Sequence, residues 1–144
     1  MSIMSNRVHP AVAASHPAMT PQGAGAAPLV APAIDFGHLA RQSLGDQALE
    51  VELMQLFDRQ AARIAAELGM PDLSKGSRAE RGDLAHTLKG SARAIGAWRV
   101  ADSCEAYENA LKSDVSALTL DALAVAIAVE VEQARRLIAE TVGR

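Results

Sequence analysis

From residue 35 onward, apolar residues recur at intervals of three and four, the spacing of one helical face. Asp35 stands before Phe36, Leu39 and Leu44 and suits the N-cap of a short first helix that Gly45 ends. Leu49, Leu53, Leu56, Phe57, Ile64 and Leu68 mark one face of a second helix over 46–68, closed by Gly69, Met70 and Pro71. A third helix is predicted from near Ser74 or Ser77 to Ile95, where Gly96 and Ala97 end it. A fourth follows from Trp98 or Arg99 to Lys112, with Val100, Cys104, Tyr107 and Leu111 on one face, and Ser113 to Ser116 form a connection. The last segment, 118–142, is ambiguous by periodicity, because Leu123, Val125, Ile127, Val129 and Val131 alternate as in a strand. It is too long for one strand, rich in Ala and free of turn residues, which predicts a helix. One short and four longer helices are the inventory of an all-α, up-and-down four-helix bundle with a short additional N-terminal helix.

Residues 1–33 carry no such pattern. Five of the six prolines lie there, among Ala, Gly and Ser, and Arg7 is the sole charge. Such a segment cannot bury enough surface to offset its ordering, so it reads as a flexible, disordered tail ahead of a domain over 34–144. Elsewhere composition agrees with a helical core: 49% of residues are hydrophobic and only 3% aromatic, a balance that disfavours a β-sandwich. A net charge of -3 provides no basic field for a nucleic-acid backbone. A single cysteine excludes an internal disulfide framework and a cysteine-rich zinc site. No apolar run of about 18 residues is present, so no membrane span is expected. With no compact apolar block after a basic start, no secretory signal is read, and a cytoplasmic location is expected.

The chemistry concentrates in 83–97, which reads Asp-Leu-Ala-His-Thr-Leu-Lys-Gly-Ser-Ala-Arg-Ala-Ile-Gly-Ala. On a helical wheel Leu84, Leu88, Ser91 and Ile95 form the predicted core stripe. His86, Lys89, Gly90 and Arg93 fall on the opposite, solvent side. A surface imidazole on a rigid helix is a nucleophile presented to another protein. Gly90, one turn after it, costs about 1 kcal/mol against Ala inside a helix, which points to close approach by a partner or a substituent on the ring. The charges of Lys89 and Arg93 are expected to favour a neutral ring and to stabilise the oxygens of a phosphoryl group.

His86-Thr87-Leu88-Lys89-Gly90-Ser91-Ala92, continuing to Ile95-Gly96, resembles the His-x-x-Lys-Gly motif of histidine phosphotransfer (HPt) domains of multistep phosphorelays. Cys104-Glu105-Ala106-Tyr107-Glu108 looks like the stretch that follows it in such domains, and the likeness extends over 35–142 through helix count and order. The resemblance implies a carrier that takes a phosphoryl group from one receiver aspartate, holds it on histidine Nε2 and passes it to another. It implies His86 as phosphoacceptor, Lys89 as electrostatic stabiliser and Gly90 as clearance beside the ring. Arg93 and Ala94 are then expected at the partner surface, and Gln60, late in the second helix, near the phosphohistidine. The implied partners are receiver domains of hybrid histidine kinases and of response regulators, met by a monomer. No cofactor of its own is implied; Mg²⁺ belongs to the receiver. No glycine-rich nucleotide loop is present, so ATP-dependent kinase activity is not expected.

Competing readings are weaker. Asp83-x-x-His86 resembles half of a bundle di-metal site, but no second copy exists and both residues face outward. Cys104 on the apolar stripe reads as a buried small hydrophobe and Trp98 as packing at a helix junction. The alternative function from another class is a helical interaction module that binds receivers or a kinase without carrying phosphate. It shares receiver binding and lacks the phosphohistidine.

Overall fold

The computed structural model describes residues 31–70 and 78–143. Residues 1–30 of the predicted tail over 1–33, and the predicted helix start at Ser74 or Ser77, lie outside them. Five helices and no strand occur among the described residues: α1 (Phe36–Gln42), α2 (Gln47–Leu68), α3 (Arg78–Ile95), α4 (Trp98–Leu111) and α5 (Ala117–Val142). The last four form the up-and-down bundle, with α3 on α4, α4 on α5, α5 on α2 and α2 on α3; α1 lies across α2 and α3.

Three helices begin where a short oxygen-bearing side chain meets their first turn. Asp35 accepts from the His38 backbone N–H, Asp46 from that of Leu49 and Ser116 from that of Thr119. Between α1 and α2 the chain reverses through Leu44 and Gly45, both with positive φ (56° and 81°). The corner between α3 and α4 is tighter. Gly96 has φ 81°, and a Cβ there would stand 2.8 Å from the Asp35 carbonyl oxygen. The Asp35 backbone N–H donates to the Gly96 carbonyl at 2.9 Å, and its carboxylate accepts the Trp98 indole N–H at 3.0 Å. His38 stacks edge-on against Trp98 and donates its Nε2–H to the Arg93 carbonyl at 2.9 Å. Trp98 thus packs at the helix junction, as expected.

The core is built from one stripe per helix. Met54, Phe57, Ala61, Ile64 and Leu68 of α2 meet Val100, Cys104 and Tyr107 of α4 and the inner stripe of α5. Each large apolar side chain buried there contributes about 1.5–3 kcal/mol. The second-helix face was drawn too wide: Leu49 and Leu56 are exposed, and Met54 and Ala61 take the inward positions. Helix α5 explains its own ambiguous pattern. Leu120, Ala124, Ile127, Val131, Ala134 and Ile138 are buried, while Leu118, Val125 and Val129 lie exposed on another side. Two apolar stripes on one helix read as alternation along the chain. No helix among the described residues is long and apolar enough to cross a membrane.

Candidate functional site

Helix α3 presents its functional face because its other face is consumed by packing. Arg81, Ala85, Leu88, Ala92 and Ile95 are the buried positions; Leu84 and Ser91, predicted in the core, are half-buried on its flank. The small Ala85 and Ala92 let α4 approach closely, so side chains of α4 reach round to the α3 surface.

His86 is exposed, with 72% of its side chain accessible. Its ring nitrogen Nδ1 lies 3.1 Å from Oε2 of Glu108 on α4. A carboxylate only accepts, so Nδ1 carries a proton, and in the neutral ring the lone pair is on Nε2. The other oxygen of Glu108 lies 2.6 Å from the Lys89 ammonium. Burial alone would raise the Glu108 carboxyl, but hydrogen bonds from Lys89 and His86 outweigh it and hold the group below its ordinary range. The carboxylate therefore stays charged and bridges the imidazole and the ammonium. Behind it, Cys104 is fully buried, and desolvation, helped by the Glu108 charge, pushes its thiol up to about 12. As predicted, it is a packing residue.

Two expectations need correction. Lys89 does not stand in solvent: its side chain is 15% exposed, folded against α4 onto Glu108. Nor do free cations surround the ring, because Lys89 faces Glu108 and Arg93 pairs with Glu105 at 3.1 Å. The charge in direct contact with the ring is the Glu108 carboxylate.

Gly90 is exposed, and a Cβ built on it meets nothing within 4 Å. The fold itself makes no demand for glycine there. Ala94 is exposed one turn further along. Gln60 reaches α3 but not the imidazole: its side-chain oxygen accepts from Ser91 Oγ at 2.5 Å, on the seam between α2 and α3. Among the described residues no cluster of His, Cys, Asp or Glu has the geometry to hold a metal ion, so Asp83 and His86 stay an exposed pair on one helix.

The wheel singled out the histidine, the lysine and the glycine but gave Glu108 no role. The signal for it lies in the corner: His86 and Glu108 are almost equidistant from the Gly96–Ala97 turn, so antiparallel helices must bring them level. Arg81 was also missed. It is 4% exposed and donates to the carbonyls of Leu68 (3.0 Å) and Met70 (2.8 Å) and to the Tyr107 hydroxyl (3.2 Å), binding the end of α2 to the α3–α4 pair.

A family model described as "Hpt domain" matches residues 52–140, more than half of the chain. No curated protein and no solved structure matches it.

Proposed function

The chain belongs to the Hpt-domain family, and from that premise we propose that it carries a phosphoryl group between receiver aspartates on Nε2 of His86. Histidine phosphotransfer in a phosphorelay is the family's role; the acceptor atom, its helpers and the shuttle direction are the reading argued here. One observation carries it. An exposed imidazole is held at Nδ1 by a charged carboxylate, with its second nitrogen free and a glycine that the fold does not need one turn away.

In this reading the Nε2 lone pair attacks the phosphorus of an aspartyl phosphate. The Nε2–P bond forms, the P–O bond breaks, and the aspartate leaves as a carboxylate. No proton moves. The proton stays on Nδ1, and the positive charge gained by the ring is met by Glu108 Oε2. Lys89 cancels the remaining charge of Glu108, so the carboxylate does not repel the incoming group, and in this reading its ammonium turns from Glu108 toward the phosphoryl oxygens as they arrive. Gly90 leaves room for the partner beside the ring, and Arg93 and Ala94 lie on the same exposed surface. The receiver supplies Mg²⁺ and its acidic pocket. The carrier acts as a cytoplasmic monomer with a modest, transient interface. Pairwise transfer needs no nucleotide, consistent with a family of phosphocarriers without kinase activity.

The test needs no partner. Incubation with phosphoramidate, followed by intact mass and peptide mapping, is expected to show one acid-labile phosphoryl group on His86 and none in His86→Gln. A folded parent that takes no phosphoryl group from phosphoramidate or from phosphorylated receivers would overturn the reading and leave a receiver-binding module without phosphate.

A further inference from the structure

Charge around His86 is distributed unevenly along the α3–α4 seam. Toward the Gly96 corner, Lys89 and Arg93 each face an acid of α4. In the opposite direction stand Arg78 and Lys112. Arg78 donates to the carbonyl oxygens of Leu111 (3.2 Å) and Ser113 (3.3 Å), and no carboxylate pairs with Arg78 or Lys112 among the described residues. A groove of about 410 Å³ leads from His86 to these two cations.

Gly82 lies in that groove, one turn before His86 as Gly90 lies one turn after it. A Cβ at Gly82 would rest 3.5 Å from Leu111 Cδ1, an ordinary contact. The helix tolerates a side chain there, yet it carries a glycine that costs about 1 kcal/mol against Ala. The absent side chain keeps the groove open between the imidazole and the cations.

A receiver whose interface centres on the His86 ring covers this groove. Arg78 precedes His86 by eight residues, about 12 Å along the helix axis. A small transient interface of about 600 Å² per partner is a disc of about 14 Å radius. Docking therefore strips water from two cations that no carboxylate pairs with among the described residues, and a partner without a matching anion bears that cost. We propose that the groove receives an acidic side chain of the receiver domain and thereby selects among receivers. Asp83 and Glu108 on the groove wall repel a carboxylate near the ring, so the acid is placed at the Arg78–Lys112 end, about two turns of α3 from His86. The inference rests on the carrier reading and adds the chemistry that separates one receiver from another.

The experiment uses a panel of purified receiver domains, each loaded with phosphoramidate, and measures KM and kcat for transfer to the full chain. Lys112→Glu reverses the charge at an exposed position, and Gly82→Leu fills the groove with a strong helix former. For the receiver that the parent prefers, each is expected to raise KM by about tenfold or more while kcat changes less than about twofold. The parent's KM is expected to rise with salt, and this slope to flatten in Lys112→Glu. Far-UV circular dichroism checks the fold, and Lys112→Gln, which only removes charge, gives an intermediate KM. KM values within about twofold of the parent for folded Lys112→Glu and Gly82→Leu, across the panel, overturn the inference and leave the carrier reading standing. A parent that accepts no phosphoryl group from any donor removes both.

Discussion

Glycine serves α3 and its end in two opposite ways. At Gly96 the backbone has φ 81°, and a Cβ would press to 2.8 Å from the Asp35 carbonyl. Another residue would strain the corner, because α1 is tied across it through Asp35, Trp98 and His38. At Gly90, six residues earlier, the backbone is ordinary helix and a Cβ would meet empty space. The first glycine is required from inside the molecule. The second is intelligible only from outside it, as clearance for something that arrives. Burial and backbone strain mark structural positions. An open, costly position marks a functional one.

That contrast can be broken from either side. The largest expected effect on folding is Gly96→Ala. A forced left-handed residue and a backbone clash together are expected to cost about 2–4 kcal/mol, read as a lower urea midpoint at unchanged slope. Glu108→Ala tests the outer region. Losing the Nδ1 acceptor frees the ring to rotate and change tautomer, and transfer is expected to slow by about tenfold to a hundredfold in stopped-flow assays. Glu108→Gln keeps an acceptor and is expected to recover part of that loss. Acid should weaken both regions. Asp35 and Glu108 are each held below the ordinary carboxylate range: for both, burial works the other way and is outweighed, at Asp35 by hydrogen bonds from Trp98 and His38, at Glu108 by those from Lys89 and His86. The unfolded chain then binds protons more readily, so the stability they contribute is present above the ordinary carboxylate range and lost as pH falls through their folded values. Urea midpoints measured against pH should show this decline, reduced in Asp35→Asn and in Glu108→Gln. The smallest effect sharpens the comparison most. Gly90→Ala is expected to stabilise the free chain by about 0.5–1 kcal/mol while slowing transfer from a receiver.

Much of this was legible in the residues, and the gaps have a common cause. Helix order, the cap at Asp35, and the exposure of His86 and Gly90 follow from single-helix periodicity and local chemistry. What a single wheel cannot supply is the neighbour. Lys89 looked solvent-facing because its own helix points it outward; Glu108, from the next helix, draws it down. Ser91 sat in the core stripe on the wheel, but its hydroxyl is turned to Gln60 at the seam. Gly82 drew no notice because its meaning depends on Leu111 and Lys112 across the groove. Helix α5, predicted as a helix from its length and alanine content, is ambiguous by periodicity for the reverse reason. Its second apolar stripe at Leu118, Val125 and Val129 has no burial to announce it and looked like strand alternation.

The tie between Asp35 and the corner also has a meaning in time. Asp35 lies sixty-three residues before the Trp98 indole that it accepts from, whereas α3 and α4 are joined by a turn of two residues. Closing the long loop costs more chain entropy than closing the short one, so the hairpin of α3 and α4 assembles early and α1 is latched onto it afterwards. The reverse sequence is expected under native conditions: amide hydrogens of α1 exchange through local opening before those of Ala85, Leu88 and Ala92. The helix that bears the histidine would then outlast the clasp that closes over its end.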